Sequence, residues 1–231
     1  MNTVTLNVRR TLEFFDDPPK DARGHATAIC AMCGEELGVG LMTHYFRGQG
    51  ATVETCCKAT QGTRRGKRLD CWMKVTNREG HRLFQVEIKN WSAHAIGGKR
   101  FADVGPVTLP EFMQQRWRTC WDDGVGIRDD RKALQKVLVP MEKPAEWASL
   151  DAEPLACIWD AIHPKGKLGE PFFPVQLREP TDWGCNQLWF FSMSAYLRNL
   201  RMSGIESIEL DMPVSAKRRK WLDEMFPISK R

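Results

Sequence analysis

The chain has 231 residues, of which 42% are hydrophobic and 27% charged, with a formal net charge of +5 and a pI near 8.8. That balance excludes wholesale disorder, and the length suits one elaborated domain or a domain with small additions. A mildly basic surface permits a polyanionic partner without requiring one.

The first residues alternate polar and apolar positions instead of forming a long apolar run, so no export or transit signal is read there. The densest apolar patch, Leu188–Phe191, is far too short for a membrane span. The expected location is therefore cytoplasmic, and the eight cysteines are expected to be reduced, most of them as small buried hydrophobes.

In chain order, Thr3–Arg9 reads as a strand, followed by a Pro/Asp-rich break at Asp16–Lys20. Apolar positions Leu37, Leu41, Met42, Tyr45 and Phe46 have helical spacing, so a helix of about three turns is predicted from Gly34, with a glycine C-cap in the RGQG that follows. Strands are predicted over 51–59, 68–75 and 82–91, the last two joined as a hairpin around Asn77–Gly80. Thr108 and Glu111 form a capping-box pattern that starts a helix through Trp121, and Lys136–Pro140 reads as a short buried parallel strand. A proline-rich stretch from Pro164 to Pro180 follows. After it come a helix around Asn186–Arg201 ended by Gly204, a strand at Ile205–Leu210 and a basic helix at Ala216–Met225.

The chemistry concentrates in the predicted hairpin. Glu87 and Lys89 are two residues apart on one strand, so alternation puts a carboxylate and an amine on the same face. Asp70 on the preceding strand comes within reach of Glu87 if the register is suitable. Two carboxylates can hold Mg²⁺ or Mn²⁺, with the Ile88 carbonyl as a third oxygen donor, and Lys89 can orient or deprotonate an attacking water.

These residues, in the order GEELG, GATVE, RLDCW and VEIKNW, resemble the PD-(D/E)XK, restriction-endonuclease-like nuclease superfamily, in its Holliday-junction-resolvase-like arrangement. The resemblance covers roughly residues 34 to 140. It implies an α/β (α+β) fold with an αβββαβ core, a mixed central sheet flanked by helices, dependence on Mg²⁺ and a nucleic-acid substrate. It also implies a helix glutamate in the site, for which Glu36 is preferred over Glu35. The expected division is an N-terminal addition (1–25), the nuclease core (26–140) and a C-terminal extension packed on it (141–231). Gln114 and Gln115 lack the aromatic spacing of the glutamine motif found in some relatives.

Outside that triad, Lys58, Arg64, Arg65, Lys67 and Arg68 form a run of cations without an acid, suited to phosphate contacts or to a merely solvated loop. Lys99 and Arg100 are further candidates for nucleic acid, and residues 217–220 (KRRK) weaker ones. Cys30 and Cys33 resemble half of a zinc knuckle, but Cys56 and Cys57 are adjacent and face opposite sides of a strand, so structural zinc is not expected. Tryptophans 91, 117, 121, 183 and 189 could stack on bases or pack the core, and His94 could touch a phosphate. The functional expectation is a Mg²⁺-dependent DNA endonuclease of repair, recombination or anti-phage defence. It is expected to act as a homodimer or as a subunit of a larger complex. The alternatives are a nuclease-fold nucleic-acid-binding subunit with little activity alone, and a Trp-rich protein-interaction platform governed by cysteine redox chemistry or zinc.

Overall fold

A computed structural model describes residues 3–16, 23–57, 70–89, 108, 110–111, 113–114, 137–159 and 170–225. Among them are eight strands and four α-helices. In chain order these are β1 (Thr3–Asn7), α1 (Val8–Asp16), α2 (Arg23–Gly48), β2 (Thr52–Cys56), β3 (Cys71–Asn77), β4 (Gly80–Lys89), β5 (Ala152–Ile158), β6 (Phe172–Gln176), β7 (Gln187–Ser192), α3 (Met193–Met202), β8 (Ser207–Asp211) and α4 (Pro213–Met225). Six strands form a mixed sheet in the order β2-β3-β4-β5-β7-β6, while β1 and β8 make a separate antiparallel ribbon. Pairing is antiparallel through β2, β3 and β4, parallel from β4 to β5 to β7, and antiparallel again to β6. The fold is therefore mixed α/β with a mixed central sheet flanked by helices.

The expected hairpin is present. Asn77 pairs with Gly80 across a two-residue turn, and the Asn77 side chain accepts the Glu79 N–H at 2.9 Å, a local turn bond typical of asparagine. Helix α2 is much longer than the three turns predicted, because the alanine-bearing stretch before Gly34 is helical as well. It ends where expected: Gly50 has φ +79, Ala51 N–H bonds to Phe46 O and Gly50 N–H to Arg47 O, the paired bonds of a Schellman cap.

Two expectations fail for a shared reason. Residues 137–138 are helical and lead into a bend, so 136–140 is not the parallel strand; that place belongs to β5. Residues 187–192, expected to be helical, form β7, and the helix starts only after Ser192, whose side chain accepts the Ala195 N–H. Uninterrupted apolar runs have no period to tell a buried strand from a buried helix. The predicted Thr3–Arg9 strand ends early for a different reason: β1 stops at Asn7, whose side chain accepts the Arg10 N–H and caps α1. The sheet also continues past residue 140 through β5, β6 and β7, so the expected boundary there falls within one hydrogen-bonded sheet, and β1 is tied to β8.

Two faces of the sheet are covered differently. On one, Phe84, Val86, Ile88, Cys71, Met73, Leu155, Cys157 and Phe191 meet α2 and α3 through Leu41, Met42, Phe46 and Leu197, all buried. This is the main apolar core. Helix α2 approaches so closely that a Cβ on Gly38 would lie 2.9 Å from Ile88 Cγ2 and 3.3 Å from Cys157 Sγ. On the opposite face, Trp72, Leu83, Trp147 and Ala152 form a smaller cluster. Beside it the fully buried Gln85 holds residues 137–141, donating to the carbonyls of Val137 and Val139 and accepting the Met141 N–H. Pro174 sits in the edge strand β6, and Pro154 precedes the first β5–β7 pair, so neither removes a bond from the middle of the sheet.

Candidate active site

The hairpin register decides the site. The β3–β4 ladder ends with Cys71 paired to Val86, so Asp70, in the bend before β3, and Glu87 are the residues just beyond its last pair. Alternation puts Glu87 and Lys89 on one face of β4, away from the α2 core, at the end of the hairpin remote from its turn, and Asp70 lies at that same end. The Ile88 N–H, just past the last ladder pair, donates to Asp70 Oδ2 at 2.6 Å. A residue's N–H and C=O project toward the same neighbouring strand, so the Ile88 carbonyl also lies on the β3 side.

Glu87 stands on a strand buried on both faces, and its side chain is 1% exposed, whereas Lys89 keeps 22%. Lys89 Nζ contacts Glu87 Oε1 at 2.5 Å, so the ammonium bridges the buried carboxylate toward solvent. A buried carboxylate needs such a counter-charge, because desolvation of a lone ion costs several kcal/mol. Asp70 is affected the other way. Burial first, and then the negative charges of Glu87 and Glu35, push its carboxyl up to about 6, while the Ile88 N–H and Lys89 act to lower it.

That pattern also separates the two glutamates of α2. Glu35 is exposed, and its charge reaches both Asp70 and Cys57. Glu36, the preferred candidate from sequence, is turned to α4: its carboxylate accepts the N–H groups of Val214 and Ser215 at 2.7 Å each, and the Ser215 hydroxyl. It acts as a cap for α4 supplied by another helix. Of the two glutamates, Glu35 is the one whose charge acts on Asp70.

The donor set can be tested against a hard divalent cation. Asp70, Glu87 and the Ile88 carbonyl are all oxygen donors, and like charges held together out of water gain from a cation between them. Among the described residues no group of three or more His, Cys, Asp or Glu side chains forms a metal cluster. The arrangement fits a site of two carboxylates and one backbone oxygen, completed by water and substrate, the open coordination that Mg²⁺ tolerates.

Of the remaining candidates, Lys58, Arg64, Arg65, Lys67, Arg68, His94, Lys99, Arg100, Gln115, Trp91, Trp117 and Trp121 lie outside the described residues. The Thr108–Glu111 capping box is formed, with Thr108 N–H and Oγ1 both bonded to Glu111 Oε2, and Gln114 exchanges two hydrogen bonds with the backbone of Gln176. Trp183 and Trp189 serve the fold: Trp183 Nε1 donates to Leu138 O, while Trp189 stacks on Phe172 and donates to Glu153. Arg82 lies over the rings of Phe84, Phe172 and Trp189 and is doubly bonded to Glu153, a further structural knot. Cys33 donates to Ile29 O within α2, whereas Cys57 pairs with Cys71. The Cys57–Cys71 contact was not foreseen, although the strand register was the signal for it.

No protein-family model matches the chain, and neither a curated protein nor a solved structure does.

Proposed function

We propose that the protein is a metal-dependent nuclease of the PD-(D/E)XK type that hydrolyses phosphodiester bonds, with DNA the favoured substrate. The observation that carries this reading is the convergence of Asp70, Glu87 and Lys89 at one end of the β3–β4 hairpin. The parallel neighbour β5 is consistent with the core expected of such enzymes. A bound Mg²⁺ or Mn²⁺ would lower the pKa of a coordinated water and offset the charge that develops on the phosphoryl oxygens.

The chain's own groups do the rest. Asp70 and Glu87 would hold the cation, with the Ile88 carbonyl as a third donor, and the Ile88 N–H fixes the rotation of the Asp70 carboxylate. Lys89 neutralises Glu87 as an ammonium and in that form would orient the attacking water; to accept the water's proton it would first have to release its own to solvent. Glu35 adds a nearby carboxylate that can position a water. The cationic run between β2 and β3 supplies the sequence-independent attraction for the phosphate backbone.

The test is cleavage of plasmid, linear, branched and single-stranded DNA and of RNA with Mg²⁺ or Mn²⁺. Wild type should cut at least one of these. Lys89→Ala and Asp70→Ala should each lose about 100-fold or more in rate while remaining folded. Activity that survives both substitutions, or a wild type that cuts nothing in the panel, would sink the proposal.

A further inference from the structure

The β2–β3 register carries a second feature beside the site. Cys56 pairs with Trp72, so one further step sets Cys57 opposite Cys71, on the strand that leads out of Asp70. Their sulfurs are 3.0 Å apart, with the Cys57 thiol donating to Cys71 Sγ. Both are free thiols, and their exposures are complementary: Cys57 is open to solvent, whereas Cys71 is 1% exposed. Directly opposed residues on antiparallel strands bring their Cβ atoms near the separation a disulfide requires.

Among the described cysteines no other partner is as well placed. Cys56 belongs to the neighbouring position of β2 and so points to the opposite side of the strand from Cys57. Cys33 bonds to Ile29 O, Cys185 to Ala152 O, and Cys157 is fully buried on β5. A solvent-borne reagent can reach Cys57, whereas Cys71 is buried.

We propose that Cys57 and Cys71 form a redox-active dithiol that low-molecular-weight disulfides of the glutathione class oxidise reversibly. The Cys57 thiolate attacks one sulfur of the small disulfide, forming a mixed disulfide and expelling one thiolate. Cys71 then attacks the Cys57 sulfur, breaks the mixed disulfide and expels the second thiolate. The two protons from the protein thiols end on the two small thiols. The protein has lost two electrons, and the small disulfide has gained them. The new bond closes the chain from 57 to 71 into a ring whose sequence contains the cationic run and Asp70. This chemistry does not depend on the nuclease reading.

The experiment incubates the full chain with oxidised glutathione, blocks residual thiols, and maps the cysteines by peptide mass spectrometry, before and after dithiothreitol. The expected product is a peptide pair joined through Cys57 and Cys71 without retained glutathione, reversed by the reductant. In Cys71→Ala, Cys57 should instead keep the glutathione adduct, and in Cys57→Ser, Cys71 should remain a free thiol. Because Cys57 is exposed, the Cys57→Ser variant folds and keeps the comparison valid if Cys71→Ala does not. A wild-type protein that retains glutathione on Cys57, bridges Cys57 to another cysteine, or leaves Cys57 unmodified would overturn the proposal.

Discussion

Asp70 illustrates how a residue's surroundings set a pH dependence. In the folded protein it keeps its proton up to about 6, chiefly because it is buried and also because Glu87 and Glu35 are near. The unfolded chain releases that proton in the ordinary aspartate range. Between the two values the folded state binds more protons, so stability of the metal-free protein is greatest below this window and falls as pH rises through about 6. The expected loss is about 1–3 kcal/mol, and Asp70→Asn should flatten the profile. Denaturant unfolding at a series of pH values with chelator present checks this, and a profile unchanged by Asp70→Asn would refute it. The hairpin that brings Asp70 and Glu87 to one end of β3 and β4 was legible from sequence because a two-residue alternation and a turn signal fix a register. The choice between Glu35 and Glu36 was not. Adjacent helical residues differ only in which neighbour they meet, and Glu36 meets α4 from the far end of the chain.

At the scale of elements, two contacts hold α2 in place behind the site. Gly38 brings the helix against Ile88, and a methyl group there would meet a rigid branch of a β-branched side chain at 2.9 Å. Alanine normally improves a helix by about 1 kcal/mol over glycine, but overpacking of a filled core costs about 1–3 kcal/mol, so Gly38→Ala should be net destabilising. Pairing it with Ile88→Ala, measured by denaturant unfolding, should recover part of the loss; a stabilised Gly38→Ala would show that the helix has room to move. Glu36→Gln should cost about 1 kcal/mol by weakening the cap of α4. It should also speed tryptic cleavage at Lys217–Lys220 while leaving metal affinity unchanged, whereas Glu35→Gln should do the reverse. Equal tryptic rates in wild type and Glu36→Gln would refute that assignment. Elements with local signals were readable: the hairpin, the Schellman end of α2, the Thr108–Glu111 box and α4. β5 and β7 were not, since a strand buried on both faces in a parallel region has neither alternation nor a tight turn to reveal it.

For the whole molecule, the pairings differ greatly in the length of chain they must close. β3 and β4 meet across two turn residues, whereas β5 reaches β4 only after the chain has run from Lys89 to Ala152, and β1 pairs with β8 across nearly the entire described sequence. The entropy of loop closure rises with separation, and contacts distant in sequence form later. Refolding followed by pulsed hydrogen exchange should therefore protect the amides of Met73–Phe84 first and those of Val4–Leu6 last; early protection of β1 would contradict this order. The carboxylates of the candidate site would then be brought face to face by the earliest structure to form. The ribbon of β1 and β8 acts as a clasp fastened at the end, so its protection reports that the rest of the molecule has already assembled.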